Sequence, residues 1–128
     1  MKSFLFDTNI FLEILLDQEK KELCKKLLSD NIGSIYLSDF SLHSIGVILL
    51  KQKKVKIFDK FLKDILPHST ILSLPKEKYS EIPIIASKYK LDFDDAYQSM
   101  IAVEFDIGIK TMDKDFNRIL KVITLEIF

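Results

Sequence analysis

Short apolar runs of strand character alternate along the whole chain with longer segments of helical periodicity, and this alternation limits the fold more than any other feature. A strand that returns to its sheet by way of a helix pairs in parallel with the strand it left. Ser3–Phe6 reads as a first strand, followed by helices over Asn9–Leu16 and Lys20–Ser29, the second with Leu23, Leu27 and Leu28 at helical spacing. Gly33 marks a turn before a strand over Ser34–Ser38. Asp39–Gln52 reads as a helix with Leu42, Ile45, Ile48 and Leu49 inward. Val55–Leu66 is another, with Phe58, Phe61, Leu62 and Ile65 on one face and Pro67 as its stop. Ser69–Leu74 is the third strand. A helix from Pro75 or Lys76 to Lys90 then carries a kink or break at Pro83. Phe93–Phe105 is helical with Asp92 at the N-cap position, and Gly108–Met112 and Lys121–Leu125 complete the strands. The expected fold is a three-layer α/β/α structure around a central, mostly parallel five-stranded sheet.

With three glycines and three prolines, the connections are expected to be short, and the 128 residues fit one domain, 1–128. A hydrophobic fraction of 48% and zero net charge, 19 basic against 19 acidic residues, speak against a disordered chain. The same balance excludes a protein that grips nucleic acid by bulk basicity, so a phosphate-rich partner would need a local arrangement of charge. Cys24 is the single cysteine, which excludes an internal disulfide and a cysteine-rich zinc site and suits a packing role in a reducing compartment. Asp7 interrupts the opening apolar run before a signal-peptide core forms, and Ile45–Leu50 is far shorter than the ~20 residues of a membrane span. A soluble, cytoplasmic protein without membrane contact is the expectation.

In open parallel sheets, ligands bind outside the carboxyl ends of the strands. Asp7 follows the first strand directly, Asp113 follows the fourth, and Asp95 lies in the first turn of the helix leading toward the fourth. Each alone suits an ordinary turn or cap. Brought to one edge, the three would repel unless a cation sat between them. Carboxylates with no histidine cluster or cysteine set favour a hard, oxygen-seeking ion such as Mg²⁺.

Phe4-Leu5-Phe6-Asp7-Thr8-Asn9 resembles the first strand and Asp-x-Asn element of PIN domains. Leu91-Asp92-Phe93-Asp94-Asp95-Ala96 is similar to their central Asp-Ala element, and Thr111-Met112-Asp113-Lys114-Asp115-Phe116 to their Thr-x-Asp-x-Asp-Phe segment. The three occur in the family's order across essentially the whole chain, at the length of VapC-type toxins. The resemblance implies a Mg²⁺- or Mn²⁺-dependent ribonuclease whose metal ligands and catalytic residues are Asp7, Asp95 and Asp113. It further implies that Asn9 orients Asp7 or a metal-bound water, that Thr111 supports Asp113 by a hydrogen bond, and that Asp115 is a supporting acid, beside Phe116 as a core anchor. An antitoxin protein and a homodimer are the implied partners besides RNA. The helices at Asn9–Leu16 and Asp39–Leu66, with Phe40, Phe58 and Phe61, are candidate contact surfaces or simply core.

The pattern breaks in the helix after the second strand. Where the family usually carries Glu, this chain has Ser44, with His43 beside it. Asp39, Asp92, Asp94 or His43 are candidates to compensate, each with a competing capping or solvated role. A domain that binds RNA or protein without cutting is the alternative. Lys51, Lys53, Lys54 and Lys56 form the densest basic stretch, suited to phosphate contact or to a solvated loop. Arg118, the sole arginine, is a further phosphate contact or the ion-pair partner of Asp115. A receiver domain would place an acidic pair after the first strand, and a haloacid-dehalogenase-type phosphatase a second Asp where Asn9 stands. Neither pattern is present.

Overall fold

A computed structural model describes residues 3–119 and 124–128. The elements follow the alternating order: β1 (Phe4–Phe6), α1 (Thr8–Leu15), α2 (Lys21–Asp30), β2 (Ile35–Ser38), α3 (Asp39–Lys51), α4 (Val55–Asp64), β3 (Ser69–Leu72), α5 (Ile82–Tyr89), α6 (Phe93–Glu104), β4 (Gly108–Thr111) and β5 (Leu125–Ile127). The strands form one sheet in the order β3-β2-β1-β4-β5, every pairing parallel. The chain steps outward from β1 through β2 to β3, then crosses back to lay β4 on the other side of β1. The crevice between the ends of β1 and β4 is therefore the topological switch point, where such sheets take their ligands.

Alternation of side chains along each strand builds the two core layers. Leu5 and Ile109 face one side with Ala96, Met100, Ile101 and Phe116. Phe6, Ile35 and Leu37 face the other, against Ile10, Phe11, Leu28, Ile45, Leu49 and Phe61. Cys24 is buried in this second layer with its Sγ 3.9 Å from Met112 Sδ. Among the described residues no helix is long and apolar enough to cross a membrane.

Three boundaries differ from expectation, each for a local reason. Pro67 does not end α4 but sits in a 3₁₀ turn, Leu66–His68, beyond the last α-helical residue, Asp64. The helix expected to reach Lys90 from Pro75 or Lys76 is a 3₁₀ stretch over Lys76–Glu81 followed by α5, whose first turn holds Pro83, where the missing N–H costs nothing. The fifth strand was expected over Lys121–Leu125. Residues 121–123 lie outside those described, and β5 runs downstream, pairing Ile109 with Leu125 and Thr111 with Ile127.

Lys110 in β4 is 7% exposed. Its ammonium pairs with Glu126 on β5 and sits 4.2 Å from the centre of the Phe4 ring. These contacts offset the cost of burying a charge. Gly108, at the start of β4, is needed for close approach: a Cβ there would lie 2.6 Å from the Phe4 ring and 2.7 Å from the Thr124 carbonyl oxygen. Because one of those atoms is backbone, Gly108→Ala is expected to cost about 2 kcal/mol, measured by chemical denaturation. A loss below about 0.5 kcal/mol would show that β4 and β5 separate freely.

Candidate active site

Asp7 leaves β1 in extended backbone, its N–H donating to the Lys110 carbonyl at 2.9 Å, so the β1–β4 ladder carries it to the switch point. There it caps α1, with Oδ1 accepting from the Thr8 N–H at 2.9 Å. Thr111, the last residue of β4, donates from Oγ1 to Asp7 Oδ2 at 2.7 Å and accepts from the Asp113 N–H at 2.9 Å. One hydroxyl thus ties together the carboxylates' two parent strands. Asp95, the third residue of α6, is 6% exposed, as is Asp7. A cavity of about 170 Å³ is lined by Asp7, Asp95 and Asp113 together with Asn9, Ser44 and Asp94.

Behind the carboxylates lies a hydrogen-bond network that the sequence reading missed. Gln98, 1% exposed, donates from Nε2 to Asp7 Oδ1 at 3.2 Å and to Ser41 Oγ at 2.8 Å. Ser41 Oγ also lies 2.7 Å from Thr8 Oγ1 and accepts from Ser38 Oγ at 3.2 Å. Gln98 Oε1 has no hydrogen-bond partner among the described residues. Buried amides without full partnering are uncommon in cores. Here the amide is retained against apolar neighbours, Ala96, Tyr97 and Met100, on the same helix. The sequence signal for it is spacing: Gln98 is three residues after Asp95, hence on the same face of α6.

Burial raises the Asp95 carboxyl to about 8, with Asp94, Asp113, Asp7 and Asp92 adding like-charge repulsion. Burial also raises Asp7, opposed by its bonds from Thr111, Gln98 and Thr8 and reinforced by Asp113. One carboxylate oxygen from each of Asp95, Asp113 and Asp115 falls within 4.8 Å of the others, and the same holds for Asp92, Asp94 and Asp95. The donors are all carboxylate oxygens, which fits a hard divalent cation and not a thiolate- or imidazole-seeking metal.

The remaining candidates are distributed unevenly. Asn9 is exposed and lines the cavity, and the hydrogen bonds to Asp7 come from Thr8, Gln98 and Thr111. Asp39 and His43 line a neighbouring cleft, not the acidic cavity. The side chain capping α3 is Ser38, accepting from the Ser41 N–H at 3.0 Å, while Asp39 accepts from its neighbour Phe40. Asp92 occupies the N-cap position of α6 without a side-chain cap bond, and both it and Asp94 are exposed. Asp115 is exposed, donates its N–H to Asp113 Oδ1 at 2.9 Å, and pairs with Arg118 at 3.5 Å. Arg118 also donates to the Lys90 carbonyl at 2.6 Å. Phe116 and Phe61 are core residues, 0% and 2% exposed. Lys51 ends α3, at its far end and one turn past Ile48, which lines the acidic cavity, and Lys53 and Lys54 follow directly. Lys56 follows in α4, exposed at the same far end.

A family model, the PIN domain, matches residues 4–122. Comparison with curated protein sequences gives no match. Solved structures that resemble the chain include FitAcB from Neisseria gonorrhoeae, 25% identical over 95% of each chain with a TM-score of 0.73. A toxin–antitoxin complex from Klebsiella pneumoniae is 22% identical over 89% of this chain and 90% of that one, with a TM-score of 0.71. VapC20 from Mycobacterium tuberculosis, a sarcin–ricin loop cleaving toxin, is 12% identical over 90% and 93%, with a TM-score of 0.77.

The raised carboxyls set the pH response of the metal-free protein. An acid whose pKa is higher folded than unfolded contributes its full stability below the unfolded value near 4, and that contribution is lost as pH rises through the folded value. For Asp95 the loss extends to about 8. In EDTA, Tm of the wild type is therefore expected to fall relative to that of Asp95→Asn between pH 5 and 9, by roughly 5 °C. Mg²⁺ is expected to recover that difference at the alkaline end. Parallel melting curves for the two proteins across this range would contradict the assignment.

Proposed function

The chain belongs to the PIN domain family, and from that premise we propose that it is a divalent-cation-dependent endoribonuclease and the toxin of a toxin–antitoxin pair. The observation that carries this reading is the convergence of Asp7, Asp95 and Asp113 from β1, α6 and the end of β4 on one cavity. Asp7, Asp95 and Asp113 would hold Mg²⁺ or Mn²⁺, with Asp115 and Asp94 close by. A bound ion would acidify the attacking water and neutralise charge on the scissile phosphate. The chain's own contribution is placement. Thr111 and Gln98 fix the two oxygens of Asp7, the Thr8 N–H holds its rotamer, and Thr111 pins the backbone of Asp113. Preorganised carboxylates of this kind need no rearrangement when substrate arrives.

The relatives support the biological side of the proposal. One is a toxin that cleaves the sarcin–ricin loop and another a toxin–antitoxin complex, so RNA is the proposed substrate and an antitoxin protein the proposed partner. A homodimer, one PIN-like domain over 1–128 and a cytoplasmic location complete the reading. Lys51, one turn beyond the cavity-lining Ile48, with Lys53 and Lys54 after it, would contact RNA phosphates leading away from the cavity. Arg118, already bonded to Asp115 and Lys90, would serve RNA only by exchanging those partners.

Purified protein with Mg²⁺ or Mn²⁺ is expected to cut RNA, and Asp95→Asn or Asp7→Asn to slow cutting at least about 100-fold with circular dichroism unchanged. Cutting that survives both substitutions together would remove the metal site from the account. One observation favours the alternative, a module that binds without cutting: Ser44 lines the cavity where the family usually places a Glu. Ser44→Glu separates the two readings. An active enzyme is expected to need less Mg²⁺ for half-maximal rate after this change, whereas a degenerate module shows no cutting before it and gains cutting only with the added acid.

A further inference from the structure

Beside the acidic cavity is a second cleft of about 150 Å³, lined by Asp39, Phe40, His43, Tyr79, Phe93 and Tyr97. A cavity of this size admits a single aromatic ring. We propose that it is a nucleobase-binding subsite, which stacks the base of a nucleotide adjoining the scissile phosphate of single-stranded RNA. The proposal rests on the ribonuclease reading above and gives that site its neighbouring contact.

Four observations point to a base. Phe40 lines both clefts, so a single side chain separates the proposed phosphate position from the proposed base position. Phe93 and Tyr79 are 54% and 46% exposed, although aromatic rings of this size are mostly covered in a folded chain. Their support is rigid: Phe93 stacks on Tyr97 with centroids 6.0 Å apart and planes within 20°, and Tyr79 and Phe40 meet the same Tyr97 ring at 5.9 and 6.0 Å. Tyr97 itself is held by accepting from the Leu74 N–H at 3.1 Å and donating to Asp39 Oδ1 at 2.7 Å. Single-stranded RNA is recognised on such platforms, where a base adds its flat face to aromatic rings already in place.

Asp39, which lines the cleft with His43 and Tyr79, narrows the ligand class. Asp39 Oδ1 is occupied by Tyr97 and by the Phe40 N–H, and Oδ2 accepts no hydrogen bond among the described residues. A carboxylate there repels phosphate and accepts N–H, so the cleft takes a base edge and not the backbone. A base with an exocyclic amine, such as adenine or cytosine, satisfies it.

The test titrates the full chain in EDTA with adenosine, cytidine and purine riboside, which lacks the exocyclic amine, while the ring resonances of Phe93, Tyr79 and Phe40 are followed by NMR. The expected result is perturbation centred on those rings. Affinity for adenosine should exceed that for purine riboside by roughly threefold. Phe93→Ala should weaken binding roughly tenfold, and Phe93→Tyr should retain it. Absence of ring perturbation by every nucleoside, or perturbation unchanged in Phe93→Ala, would overturn the subsite. So would perturbation by an amphipathic Leu/Lys peptide alone, which would assign the cleft to a protein partner. Nucleosides carry no phosphodiester, so this result stands whether or not the chain cuts RNA. Failure of the nuclease assay with nucleoside binding intact would count against the ribonuclease reading alone.

Discussion

Carboxylates that repel one another are held together at the junction of β1, β4 and α6, and much of the surrounding structure serves to keep them there. Asp7 and Asp95 are both almost fully buried, and Asp113 stands beside them half-covered. Left to itself, such a group would separate or take up protons. Here the fold prevents separation, and Asp95 takes up the proton, its carboxyl raised to about 8. Asp7 is bonded on both oxygens, its backbone continues the sheet ladder, and Asp95 is part of a buried helix. The fold stores electrostatic repulsion at one edge and supports it with two apolar layers.

That arrangement explains why hydroxyl and amide groups cluster behind the acids. Thr8, Ser38, Ser41, Gln98 and Thr111 link five elements through bonds of 2.7 to 3.2 Å. Networks of this kind are worth keeping only when their members are nearly all satisfied. The one orphan, Gln98 Oε1, shows that the amide is oriented by what its nitrogen serves, Asp7 and Ser41. On the side away from this network, the aromatic rings around Tyr97 form a second surface that shares Phe40 with the cavity. Charge and flat apolar surface therefore lie next to each other, as a polyanion with stacked bases requires.

Much of this was legible in the sequence where the signal was local. Alternating runs located the first four strands near their observed places, the fifth meets its expected range only at Leu125, and Leu5 and Phe6 divide between the two core layers as a period of two demands. The strand-end position of Asp7 and Asp113 followed from the same pattern. Gln98 was not legible, because its meaning depends on Ser41 and Asp7, 57 and 91 residues away. Thr111 and Gln98 bond Asp7 directly, and Asn9, which the resemblance implied would orient Asp7 or a metal-bound water, lines the cavity beside it.

Proton release on metal binding tests the central claim most directly, since it reads the cation and the crowded carboxylates in one experiment. Mn²⁺ titrated calorimetrically into the metal-free protein at pH 7, in buffers of differing ionisation enthalpy, is expected to bind and to release close to one proton, because Asp95 with its carboxyl at about 8 must ionise to hold the ion. Asp95→Asn is expected to bind more weakly and release none. Tight binding without proton release would contradict the account, and so would an absence of binding in the wild type.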